Sequence, residues 1–177
     1  MKSIIKLLCA IAPLITMHQV EAQSLPPAVS LRLGIVQPGA GSTRTVTGQY
    51  PVYIGIDYEP RGTDGMARSD YYADYIDGSR RGGHVRMFGV GAASIASGQP
   101  GGMSKTTPFG GAGVGIYHLD VKDSSRGVDA SKTTFGGKLF IGYHFAARVD
   151  FELAYQFIPS YQGVNPSGFS LQVGFPI

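Results

Sequence analysis

The chain has 177 residues, enough for one domain with a real core or a small closed barrel. Its 26 glycines are about twice ordinary usage, Tyr (10) and Phe (9) are plentiful, and Trp is absent. Basic and acidic residues nearly balance at a net charge of +3, and the arginines form no stripe, which excludes a nucleic-acid footprint.

Taken in order, the chain opens with a leader. Lys2 and Lys6 precede an apolar run from Leu7 to Met17, and Val20-Glu21-Ala22 supplies a cleavage site. This predicts a signal peptide over residues 1–22 and an exported domain over 23–177. A membrane anchor is the competing reading, but the run falls short of the ~20 apolar residues that a spanning helix needs. Cys9 lies inside the leader, so the exported domain has no cysteine and is not a disulfide scaffold.

After Pro26 and Pro27, a first strand is predicted over Ala28–Val36, with Val29, Leu31, Leu33 and Ile35 on one face and Ser30, Arg32 and Gly34 on the other. Gln37 to Gln49 reads as a polar loop. Tyr50–Tyr58 alternates again, Val52, Ile54, Ile56 and Tyr58 against Tyr53, Gly55 and Asp57. Glu59 to Arg68 is a turn region. Ser69–Asp77, rich in tyrosine, is the third strand, and its pattern fits either facing. Gly78 to Gly83 is a reversal, and His84–Ala93 is the fourth strand, with Arg86 set between Val85 and Met87. Ser94 to Pro108 reads as a long loop, Phe109–Val121 as a glycine-rich fifth strand, and Lys122 to Lys132 as a charged loop. Close approach of another backbone is one use for glycines within a strand.

The last third alternates most clearly. Phe135, Gly137, Leu139, Ile141, Tyr143 and Phe145 share one face; Val149, Phe151, Leu153, Tyr155 and Phe157 share the next; Phe169, Leu171, Val173 and Phe175 share the last. Directly paired residues lie on the same face, so Phe145 must pair with Val149, or His144 with Asp150. The connection is then an odd one, Ala146-Ala147-Arg148, because a two-residue turn would reverse one strand. No stretch outside the leader keeps a 3.6-residue period with caps, so no helix is predicted.

Eight strands in up-and-down order leave one question, which face is inside. A soluble barrel turns its apolar face inward; a transmembrane barrel turns it to lipid. The apolar sets are bulky, the small residues fall mainly on the polar face (Gly34, Gly55, Gly136, Gly142, Ala154, Gly174), and Tyr and Phe recur near strand ends. These features favour the inverted arrangement. The fold class predicted is all-β: an eight-stranded antiparallel up-and-down transmembrane β-barrel after a cleaved signal peptide. Leu31, Leu33, Ile54, Ile56, Leu139, Ile141, Phe151, Leu153, Leu171 and Val173 are expected to face lipid. Arg32, Asp57, Arg86, Lys138, Asp150 and Glu152 are expected to neutralise one another in a side-chain-filled lumen rather than an open pore.

The run Phe109-Gly110-Gly111-Ala112-Gly113-Val114-Gly115-Ile116-Tyr117-His118-Leu119-Asp120-Val121 resembles the glycine-rich, then Tyr-x-Leu, strand of small bacterial outer-membrane β-barrel domains, the OmpA/OmpX and opacity-protein superfamily. Phe135 to Phe157, closed by Gly168 to Phe175, resembles that family's last three strands. The resemblance implies an eight-stranded barrel, delivery by the outer-membrane assembly machinery, and both termini in the periplasm. One departure is that Phe175 stands two residues before the end, where the family usually ends on an aromatic residue.

Candidate chemistry is sparse. His84, His118 and His144 lie on three strands, none within the His-x-Ser arrangement of lipid A deacylases, and no pair has metal-ligand spacing. Gly110–Gly115 leads into no helix and is not a phosphate cradle. No catalytic residue, cofactor or metal is expected. The function expected is a non-enzymatic, monomeric outer-membrane barrel with a structural or surface-interaction role, its partners being outer-membrane lipid, lipopolysaccharide and the assembly machinery. The alternatives are a soluble secreted or periplasmic β-barrel holding an apolar ligand, and a lipid-modifying outer-membrane enzyme.

Overall fold

The computed structural model describes residues 28–60, 67–98, 106–145 and 149–177. The expected leader and the Ala146-Ala147-Arg148 turn lie outside the described residues. Eight strands follow in chain order: β1 (Ala28–Pro38), β2 (Val52–Glu59), β3 (Ala67–Arg80), β4 (Gly83–Ser97), β5 (Thr106–Asp123), β6 (Val128–Phe145), β7 (Val149–Phe157) and β8 (Gly168–Pro176). Each pairs antiparallel with the next, and β8 pairs back onto β1, closing the barrel. Phe145 pairs with Val149 and His144 with Asp150, the register that parity required.

The apolar face is outside. Leu33, Ile54, Ile56, Leu139, Ile141, Phe151, Leu153 and Leu171 are all exposed, while Arg32, Asp57, Asp74, Lys138, Glu152 and Gln172 are buried in the lumen. Outward positions of β6 are apolar from Phe135 to Phe145. The steps between those residues, at about 3.3 Å each and a tilt of about 40°, make a band about 25 Å tall, the height of a membrane barrel's apolar belt. Aromatic rings gather at both edges of the band. Tyr58 stacks with Tyr71 at 6.5 Å and Phe145 meets Phe151 edge-on at 5.4 Å on one side; Tyr155 meets Phe157 and Phe169 at 4.6 and 4.7 Å on the other.

The glycines have a steric explanation. Large rings fill the lumen, and several lie over a glycine of an adjoining strand. A Cβ on Gly89 would sit 2.4 Å from the Tyr117 ring, one on Gly91 2.4 Å from Tyr72, and one on Gly142 2.4 Å from Phe109. A narrow barrel can hold rings across its bore only where the opposing wall has no side chain. The facing of β3 and β5 follows: Tyr72, Asp74 and Ile76 point in, as do Gly113, Tyr117 and Leu119, whereas Tyr71, Tyr75, Val114 and Ile116 point out.

Three expectations are corrected. The loop from Gln37 to Gln49 contains a short helix, α1 (Gly41–Thr47), ended by Gly48 at φ +85°. Its Val46 packs with Val85, Val121 and Val164 and covers the lumen at the end of the barrel opposite the start of β1 and the end of β8. Lys122 to Lys132 is mostly strand, the turn being confined to residues 124–127. Ser94 to Pro108 likewise loses both ends to strand, as β4 runs to Ser97 and β5 begins at Thr106. Around residues 124–127 the ladder continues past the apolar band, where outward positions are polar and the alternation loses its contrast.

Candidate functional site: the charged end of the lumen

The lumen is graded along its length. Next to α1 it is apolar, lined by Val36, Ile76, Met87 and Leu119. The middle is a tyrosine–acid–lysine layer. Tyr53 donates a 2.5 Å hydrogen bond to Asp74, Tyr72 and Tyr117 share one at 3.0 Å, and Lys138 Nζ stands 3.9 Å from Asp74 and 3.8 Å above the centre of the Tyr72 ring. The end nearest the N-terminal part of β1 and the C-terminal part of β8 is charged.

Arg32 is the hub of that end. Its cross-strand partners are Gly55 on β2 and Gly174 on β8, neither of which contributes a side chain. Nε donates to the Asp57 carboxylate, and Nη1 lies 3.1 Å from Glu152 Oε2. All three residues are at least nine-tenths buried. At the mouth, Arg68 Nη1 is 3.2 Å from Glu59, and Arg68 Nη2 donates to Ser97 Oγ at 3.0 Å. His144 Nδ1 is 2.6 Å from Asp150, its ring stacked on Phe109 at 4.3 Å. Its other nitrogen, Nε2, faces Arg68 Nη2 at 3.4 Å. An arginine can only donate, so a hydrogen bond between these two groups needs Nε2 as its acceptor.

Between these groups lies a cavity of about 40 Å³ lined by Ser30, Arg32, Asp57, Glu59, Arg68, Asp70, Ile95, Phe109, His144 and Asp150. It has room for two or three water-sized groups. Buried atoms on its wall lack a hydrogen-bond partner: Asp57 Oδ1, Asp70 Oδ1 and Arg68 Nε.

Of the six residues expected in the lumen network, Arg32, Asp57, Asp150 and Glu152 meet at this end and Lys138 sits one layer away. Arg86 does not join them. It is exposed on the outer wall, where its Nε is 3.7 Å from Asp77 and 3.2 Å from His84 Nε2. The reason is the facing of β4: Val85, Met87 and Gly89 point inward beneath α1 and the tyrosine layer, which puts Arg86 outside, just beyond the apolar band. The residues expected at lipid all lie on the outward face, Leu31 and Val173 being half-buried there. Sequence reasoning missed Glu59, Arg68, Asp70 and Asp74. Asp70, Tyr72 and Asp74 do share a parity opposed to Tyr71, Ala73 and Tyr75, and that is the signal available in the sequence.

His84 and His118 are outward too. His84 Nε2 is 2.8 Å from Asp77, with Ser79 its directly opposed cross-strand partner. His118 is bonded to Thr133 at 2.9 Å.

No family model matches the chain, and no curated protein does. Solved structures do. Neisserial surface protein A is 15% identical, the match covering 87% of this chain and 99% of that one at a TM-score of 0.63. The outer membrane protein OprG of Pseudomonas aeruginosa is 14% identical over 90% and 99%, at 0.53. The outer membrane enzyme PagL is 16% identical over 85% and 99%, at 0.51. At these identities the likeness is one of fold, and that fold is the small eight-stranded outer-membrane barrel.

Proposed function

We propose that this chain is a non-enzymatic, monomeric barrel of the bacterial outer membrane. On this reading it is exported by its leader and inserted by the outer-membrane assembly machinery, and it serves a structural or surface-interaction role. The observation that carries the reading is the inverted wall, with an apolar belt about 25 Å tall outside and buried ion pairs within. A lumen crossed by tyrosine rings and covered by α1 suits a plugged scaffold better than a pore. Beyond the belt, outward Arg86 and Lys122 are cations suited to phosphate, which supports lipopolysaccharide as the lipid contacted on this reading. Cell fractionation tests the reading. The protein should sediment with outer membranes and migrate faster on unheated than on heated SDS gels. Recovery in the periplasm without detergent would overturn it in favour of a soluble carrier.

One arrangement favours a second reading, a lipid-modifying enzyme: Asp77, His84 and Ser79 lie together on the outer wall just beyond the belt. The mass spectrum of lipid A from a deletion strain separates the two. An unchanged spectrum supports the scaffold; a shifted one that His84→Ala reproduces establishes the enzyme.

A further inference from the structure

At the end of the barrel covered by α1, the connections 39–51, 81–82, 124–127 and 158–167 are all described, so every charge there is placed. Most of its cations are matched. Arg86 is 3.7 Å from Asp77, Lys122 is 3.2 Å from Asp129 and Arg126 is 2.5 Å from Asp123, while Lys132 stands over the Tyr161 ring. Arg44, Arg80 and Arg81 are not: among the described residues no carboxylate pairs with any of them. The fold gathers these three. Arg80 and Arg81 form the tip of the β3–β4 hairpin, and the last turn of α1, closed by Gly48 N donating to Arg44 O at 3.1 Å, packs against that tip. A Cβ on Gly78 would meet Thr47 O at 2.8 Å, and one on Gly83 would meet Val46 at 2.6 Å. Arg81 and Gly82 make a two-residue turn with φ of +50° and +80°, the type I′ geometry. Its first position favours Asn, Asp or Gly, so an arginine there works against its own backbone. Strain of this kind persists where the side chain has a use.

We propose that Arg44, Arg80 and Arg81 bind the phosphorylated core sugars of lipopolysaccharide, an inference that rests on the outer-membrane reading above. Guanidinium forks match phosphate oxygens two at a time, and free ones need give up no partner to do so. Height decides which anionic group they meet. Tyr75 and Phe88, paired across the hairpin, are its last outward rings. Arg80 stands five residues beyond Tyr75 on β3, about 13 Å higher at ~3.3 Å per residue and a tilt of about 40°. A phospholipid headgroup layer is only about 5–8 Å deep, so the tip clears it and stands among the sugars above. Arg80 and Arg81 are exposed and Arg44 half-buried, which leaves all three open to such a ligand. Ser124 fixes the tip from the other side, its N and Oγ donating to Gly82 O at 3.3 and 3.0 Å.

The test uses the folded protein in micelles of a zwitterionic detergent, titrated with lipopolysaccharide bearing a phosphorylated core and, separately, with core-free lipid A and with phosphatidylglycerol. Calorimetry gives each Kd. The core-bearing form should bind more tightly than either of the others. Arg81→Asn should cut that preference about fivefold, the worth of one cation at an anionic surface, and adding Arg80→Ser should cut it about fivefold again. Because Asn suits the turn, Arg81→Asn should keep or raise the temperature at which the fast-migrating folded band disappears, so its loss of binding is not a loss of fold. Lys132→Gln removes the same charge from the same rim and should leave the preference within about twofold. Equal binding of core-free lipid A or phosphatidylglycerol overturns the site, as does a preference that Arg81→Asn keeps or that Lys132→Gln lowers equally. A protein that sediments with outer membranes yet shows no preference sinks this inference alone and leaves the outer-membrane reading standing.

Discussion

Arg32 and Arg86 are the same residue type on one closed sheet, and the structure assigns them opposite environments. Arg32 is 5% exposed and holds two carboxylates, whereas the Arg86 side chain is 56% exposed. Replacing Arg32 with Met strands Asp57 and Glu152 in the lumen and should cost about 3–5 kcal/mol, read as the urea midpoint of folding in micelles. Arg86→Met should cost less than about 1 kcal/mol, as loss of an exposed pair does. Equal costs would mean that β4 faces the other way. Gly91 makes a sharper probe of the lumen. Its added Cβ would meet both the Tyr72 ring and the Val114 carbonyl at 2.4 Å, so Gly91→Ala should destabilise the barrel by about 1–3 kcal/mol, an overpacking cost.

At the level of elements, the sequence made legible whatever has a period. Strands β1, β2, β6, β7 and β8 alternate cleanly because lipid lies on one side and a packed bore on the other. Their register could even be deduced at the Phe145–Val149 pair. Helix α1 could not be read this way. Its Gly-Ser-Thr-Arg-Thr-Val-Thr sequence is poor in helix formers, and Ala40 provides no side-chain cap. It exists because Val46 inserts beside Val85 and Val121, and because Thr43 Oγ1 both donates to Asn165 O and accepts from Asn165 N at 2.8 Å. A lone valine in a polar loop was its only trace. Val46→Ala should therefore loosen the cover, with protease cutting within 41–48 accelerated and the rest of the barrel still folded. The charged site was half legible for a related reason. Arg32, Asp57 and Glu152 stand on periodic strands, whereas Asp70 and Asp74 lie among tyrosines on both faces of β3, where the pattern loses its contrast.

The whole molecule is an inside-out protein, and its stability is divided between two solvents. Ile141→Arg, in the lipid belt, should cost about 2–4 kcal/mol if its position is near the midplane, measured by unfolding from bilayers. A similar change at Lys122, outward but beyond the belt, should be nearly neutral. The two walls also differ in height. β5 and β6 have 18 residues each, against 9 each for β7 and β8. Since β7 first meets β6 at Gly137, the stretch from Val128 to Gly136 is laddered to β5 on one side and to no strand on the other among the described residues. That is an edge in a fold whose closure otherwise abolishes edges, and it is blunted from within. The Tyr161 hydroxyl donates to Ser131 O at 3.1 Å, and Lys132 sits over the Tyr161 ring. Remove that cover, as in Tyr161→Ala with Lys132→Val, and the exposed rim becomes a template to which an extended chain can add as a ninth strand.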